Sequence, residues 1–198
     1  MTTLTEAVIR KVAPNARADI VAGLVAAQNE LNAAGLNTKA RLAHFLAQIC
    51  TETGGLQHTE ENLNYSAERM IVVFPNRFKT LADAAPFAHN PEKFANKVYG
   101  GRLGNNANGD GFKYRGGGLI QTTGKDNYTA AGFANNPDDL RKMPDALASA
   151  LKFWTAHGCN AFADKNDITG LRKRVNGGTN GLKECREFHA KAVAALGP

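Results

Sequence analysis

The chain is poor in the residues that staple or metallate small proteins. Its three cysteines, Cys50, Cys159 and Cys185, are an odd number without CxxC spacing, which argues against a disulfide framework and a zinc site and suits a reducing compartment. The five histidines, His44, His58, His89, His157 and His189, are scattered and form no HExxH, so neither a metal nor any other cofactor is expected. No apolar run approaches the roughly 20 residues of a membrane span. The run "DIVAGLVAA", residues 19–27, follows Arg10, Lys11 and Arg17 as a signal-peptide core would. It starts late, however, and Ile20, Val21, Leu24, Val25, Gln28 and Leu31 keep helical spacing, so an amphipathic helix is expected there rather than a leader.

What the chain does have is core. Its 198 residues are 43% hydrophobic and 21% charged, enough to bury one sizeable interior. The net charge of +6 favours encounters with polyanions, whether nucleic acid, anionic lipid or an acidic wall polymer. With no nucleic-acid motif beside the charge, nucleic-acid binding is not expected.

Helical periodicity and caps predict a mainly α protein, with helices over residues 4–11, 17–34, 39–53, 66–73, 81–88, 91–99, 123–131, 145–157, 167–175 and 183–196. Asn90 before Pro91 and Asn166 or Asp167 before Ile168 read as helix starts. Residues 100–124 hold much of the glycine and cannot be regular helix; within them, residues 113–121 suit a small β-hairpin or extended strip. Two common loop types are excluded here. "GLIQTTGKD" has the wrong gap for a phosphate loop and an Asp after Lys125, while Asn106, Asn108, Asp110 and Gly111 open like a calcium loop whose twelfth position is Gly117 instead of Glu. A substrate-cleft wall is the reading that remains beside a plain surface loop. Neither a repeat nor a linker is visible, so residues 1–198 read as one domain.

One charged residue is placed where a core residue belongs. In "RLAHFLAQICTETGGLQHTEENLNY", Leu42, Phe45, Leu46 and Ile49 form an apolar stripe, Glu52 continues it, and Gly54 and Gly55 stop the helix. Burial and the negative end of the helix dipole both favour the protonated acid at Glu52, the state a general acid requires. Glu60 and Glu61 follow on a polar, wetter stretch. One raised and one ordinary carboxyl suit glycoside hydrolysis, with about 6.5–9.5 Å between them if water is to attack directly.

Taken together, "HFLAQICTETGG", "EENLNYSAERM", "YGGRLGN", "DGFKYRGGGLIQTTGKDNY" and "RVNGGTNGL" resemble the family 19 glycoside hydrolases, in particular the chitinase-like endolysins of bacteriophages, over most of the chain. The resemblance implies a lysozyme-like, two-lobed helical fold with a central cleft and inverting hydrolysis of β-1,4 links between amino sugars. It assigns Glu52 as general acid, Glu61 as base with Glu60 the competing choice, and Thr123 as the hydroxyl that helps hold water. Gln121, Asn127 and Asn176 match sugar-contacting positions, and Arg186 matches an Arg of the C-terminal helix more loosely. Thr51 and Thr122 depart from the residues usual at their positions, which leaves open what hydrogen-bonds Glu52.

Tyr65 and Tyr114 flank these motifs and are candidates for stacking on sugar. Trp154, within an Ala-rich helical pattern, is expected in the core, and Arg172, Lys173 and Arg174 on a solvated helix face. The expected protein is a monomeric single-domain enzyme without a wall-binding module or stable membrane insertion. It would be made in a bacterial host's cytoplasm without a signal peptide and released to the wall by a separate membrane-permeabilising protein, there to cut peptidoglycan. A chitinase and a catalytically inactive sugar-binding relative are the alternatives.

Overall fold

The computed structural model describes residues 2–197. It is mainly helical, with α1 (Glu6–Val12), α2 (Ala18–Ala26), α3 (Gln28–Ala33), α4 (Lys39–Glu52), α5 (Ala67–Val73), α6 (Leu81–Ala84), α7 (Pro91–Tyr99), α8 (Asp110–Lys113), α9 (Lys125–Ala131), α10 (Asp145–Ala156), α11 (Cys159–Asp164), α12 (Ile168–Asn176) and α13 (Leu182–Leu196). Short 3₁₀ turns occupy Ala85–Phe87 and Asp139–Arg141. Among the described residues no helix is long and apolar enough to cross a membrane. The chain forms two compact units that interleave in sequence. The first takes the residues up to Thr59, Gly118–Gln121 and those from Asp138 on; the second takes Glu60–Gly117 and Thr122–Pro137.

The first unit is organised on α4. The Thr38 hydroxyl caps its start by accepting the Arg41 N–H at 3.2 Å. Every residue from 42 to 50 is buried, because α13, α11 and α12 pack against this one helix. Phe45 meets Trp154 of α10 edge-to-face at 5.2 Å, and Trp154, 1% exposed, donates its indole N–H to Asn160 at 2.7 Å, so it is core as expected. The helix ends at Thr53, whose hydroxyl donates to the Ile49 carbonyl and accepts the Leu56 N–H.

The second unit has an aromatic core. Phe94 of α7 lies 4.9 Å from the Tyr65 ring, 5.1 Å from Phe74 and 6.0 Å from Phe78, beside Leu63, Met70 and Val98; such ring pairs contribute about 0.5–1.5 kcal/mol each beyond their burial. Its helices start on caps: Ser66 for α5, a reciprocal Thr80–Asp83 capping box for α6, and Asn90 for α7.

Three local expectations are corrected. The single helix over 17–34 breaks at Ala27, where the Gln28 side chain accepts the Leu4 N–H at 2.9 Å and a long-range contact overrides alanine's helix propensity. A helix not expected, α11, fills residues 159–164. The hairpin is reduced to isolated antiparallel bridges, Gly117 with Thr122 and with Glu60, and α8 occupies its first residue, Lys113. Gly116, Gly117 and Gly118 offer no side chains to pack a longer strand.

Candidate active site

Glu52 is the last residue of α4. Its side chain is 11% exposed and lies 2.5 Å from the guanidinium of Arg172, itself 3% exposed. Burial raises the Glu52 pKa above the ordinary carboxyl range; the charge and hydrogen bond of Arg172, and a hydrogen bond from Asn176, oppose that rise without cancelling it. The carboxyl therefore holds its proton to higher pH than an exposed one. Arg172 is fixed in turn by donating to the Asn180 carbonyl at 2.7 Å and to Gln48 Oε1 at 3.2 Å. Thr51 bonds the Ala47 carbonyl.

The expectation of a solvated Arg172 is thus corrected: it is the buried counter-charge of Glu52. Its position in a run of three basic residues hid it. The available signal was spacing, since Arg172 and Asn176 lie four apart on α12 and share a face.

In the second unit, Glu61 is half-buried and both its oxygens are bonded. Oε2 accepts the Tyr99 hydroxyl at 2.7 Å, and Oε1 accepts the Gly116 N–H. Glu60 is exposed and engaged by Arg115 at 2.5 Å. Successive residues of an extended segment point to opposite sides, which separates these neighbours into a held carboxylate and a surface ion pair. Thr123 directly precedes the turn into α9; the helix N-cap is Gly124, so the Thr123 side chain is not the cap. Asn127 is exposed and donates to the Thr123 carbonyl at 2.7 Å.

The other candidates sort by exposure. Tyr114 is corrected from sugar platform to packing residue: it is 2% exposed, set edge-on to Tyr128 at 5.4 Å, with its hydroxyl on the Ala134 carbonyl. Tyr65 is half-buried with its ring in the aromatic core. Gln121 is half-buried at φ +53°, a left-handed conformation that costs a non-glycine residue about 1–2 kcal/mol and recurs at functional sites. Asn176 reaches Glu52, whereas Arg186 is exposed on α13 and donates to Thr169 at 3.1 Å. Asp110, from the calcium-like opening, is buried against the Ala107 N–H and the Lys125 ammonium, 3.4 Å away, which puts a cation of the chain itself beside that carboxylate. Among the described residues no group of three or more His, Cys, Asp or Glu is placed to hold a metal ion.

No family model matches the chain. A protein of Haemophilus influenzae described as a glycosyl hydrolase family 19 domain-containing protein is 36% identical over 198 residues, covering 96% of each chain. Among solved structures, chitinase C from Streptomyces griseus is similar with a TM-score of 0.65 at 20% identity, over 98% of this chain and 77% of that one. A bacterial family 19 chitinase gives a TM-score of 0.60 at 23% identity, over 98% and 94%. At these identities the structural matches establish the fold, and the sequence match establishes the family. The chain belongs to glycoside hydrolase family 19 and is a chitinase-like glycoside hydrolase.

Proposed function

We propose that the protein is a bacteriolytic endolysin of phage type that cuts β-1,4 bonds of the peptidoglycan glycan backbone with inversion. The observation that carries this reading is the contrast between the two carboxyls. Glu52 sits where burial raises its pKa against the opposing pull of Arg172, and Glu61 sits where a donor bonds each of its two oxygens. In the proposed step Glu52 gives its proton to the leaving glycosidic oxygen as the bond to the anomeric carbon breaks. Water attacks that carbon from the opposite face while Glu61 takes a proton from it, and Thr123 steadies the water. No covalent sugar–enzyme bond forms, so the anomeric configuration inverts. A net charge of +6 suits an acidic wall polymer. The second reading, a chitinase, is favoured by the solved relatives, which are chitinases.

Mass analysis of fragments from purified peptidoglycan, run beside chitin oligosaccharides, tests the proposal. Peptidoglycan fragments whose new reducing ends are α-anomers in early NMR spectra are expected. Hydrolysis of chitin oligosaccharides with peptidoglycan left intact would replace the endolysin by the chitinase, and β-anomers at early times would require a covalent intermediate.

Thr123 separates by substitution. Thr123→Ser is expected to keep most activity. Thr123→Val, which removes the hydroxyl at constant shape, is expected to lower kcat about 3- to 10-fold with KM little changed. A drop in Tm at unchanged kcat would take Thr123 out of the reaction.

A further inference from the structure

The motif "YGGRLGN", residues 99–105, has no part in the proton transfers, yet it is bonded at both ends within the second unit. At one end the Tyr99 phenol donates to Glu61 Oε2 at 2.7 Å. The other carboxylate oxygen takes the Gly116 N–H, and the Glu61 N–H donates to the Gly116 carbonyl at 3.0 Å. Two donors from separate segments leave the carboxylate one orientation, where a single donor would allow it to swing.

At the other end Asn105, 1% exposed, is fully bonded. Its Nδ2 donates to the Tyr99 carbonyl at 3.1 Å and its Oδ1 accepts the Lys125 N–H at 2.9 Å. Its own N–H and carbonyl pair with Arg102 and Gly101. The Leu103 carbonyl accepts the Asp126 N–H at 3.1 Å. Lys125 and Asp126 open α9, whose N-cap Gly124 has no side chain to offer, so the loop supplies the acceptors that a capping residue would. The approach is close: at Gly124, φ +89°, a Cβ would fall 2.3 Å from the Leu103 Cβ, and only glycine permits it. Thr123 is the next residue back along the chain.

We propose that Tyr99 is a positioning residue for the base, and that residues 100–105 are the brace that fixes Tyr99 relative to the turn carrying Thr123. The inference rests on Glu61 being that base. Burial and the neighbouring charge of Glu61 push the Tyr99 phenol far above its ordinary range, so it stays a donor throughout the working pH. Its ring packs beside the aromatic core, which makes Phe a fitting replacement.

The test compares wild type, Glu61→Gln, Tyr99→Phe and Asn105→Ser on whichever of purified peptidoglycan or N-acetylglucosamine hexamer the wild type cleaves, with Tm measured on each. Tyr99→Phe is expected to lower kcat about 10- to 100-fold, the worth of a hydrogen bond to a charged group, with KM and Tm near wild type. Asn105→Ser is expected to lower kcat as well. In Tyr99→Phe/Asn105→Ser the loss should be little beyond that of the worse single variant, because both act on one carboxylate. Unchanged kcat in Tyr99→Phe, beside an inactive Glu61→Gln, would overturn the positioning role and leave the base assignment standing. A Tyr99→Phe loss that appears only in KM or Tm would also overturn it, by reducing Tyr99 to packing, and multiplying losses in the double variant would remove the brace. An active Glu61→Gln would overturn the base assignment and this inference together.

Discussion

Glu52→Gln should leave a folded protein with kcat lower by about 10²- to 10⁴-fold, the usual contribution of a positioned general acid. The amide is nearly isosteric and its oxygen can still accept from Arg172, so the contacts to Gln48 and Asn180 have no reason to move. What disappears, on the proposed assignment, is the proton for the leaving oxygen. On the same assignment that proton sets the alkaline side of the wild-type pH–rate curve. Burial raises the Glu52 pKa, so activity should persist to higher pH than an ordinary carboxyl near 4.3 would allow, and fall as pH rises through the raised value. Clearing of permeabilised cells or hydrolysis of purified glycan at a wild-type rate by Glu52→Gln would refute the acid assignment.

Arg172→Met should be the most destabilising of these changes, by about 3–5 kcal/mol at neutral pH, as for other buried pairs that lose one partner. Three groups lose the guanidinium as a donor together: Glu52, Gln48 Oε1 and the Asn180 carbonyl. The pH dependence carries a sign. Without the guanidinium, Glu52 is held protonated in the fold even more strongly than before, while the unfolded chain loses that proton near pH 4.3. The folded state then binds more protons, and stability falls as pH rises from there through the raised pKa. Denaturant titrations should show wild type and variant closest in acid and furthest apart at neutral pH. Equal stability at pH 7 would mean that solvent, not Arg172, compensates Glu52.

Much of this site could be read in the sequence where its causes are local. The α4 stripe and its glycine stop lie within residues 42–55, and they place Glu52 at a buried helix end as expected. Burial of Glu52 could be anticipated from that stripe, but not its partner, because Arg172 lies 120 residues away and its one local mark, the four-residue spacing to Asn176, does not point to Glu52. The choice of Glu61 over Glu60 had rested on motif position; the physical distinction is made by Tyr99 and Arg115, one from α7 and one from the glycine-rich segment. Tyr114 was misplaced for the same reason: whether a tyrosine beside a glycine-rich run offers its ring or buries it depends on Tyr128 and Ala134, outside any local pattern.

The interleaving of the two units sets an order of construction during synthesis. The stripe of α4 is complete at Glu52, but its principal neighbour, α13, begins only at Leu182. At 5–20 residues per second the ribosome takes on the order of 10 s to cover that interval. The second unit ends at Pro137, so Glu61, Tyr99 and Asn105 can be in place while Glu52 still stands at the end of an uncovered apolar helix. A chain interrupted before Leu182 would thus hold every residue of the second unit but leave α4, with Glu52 at its end, without its principal neighbour.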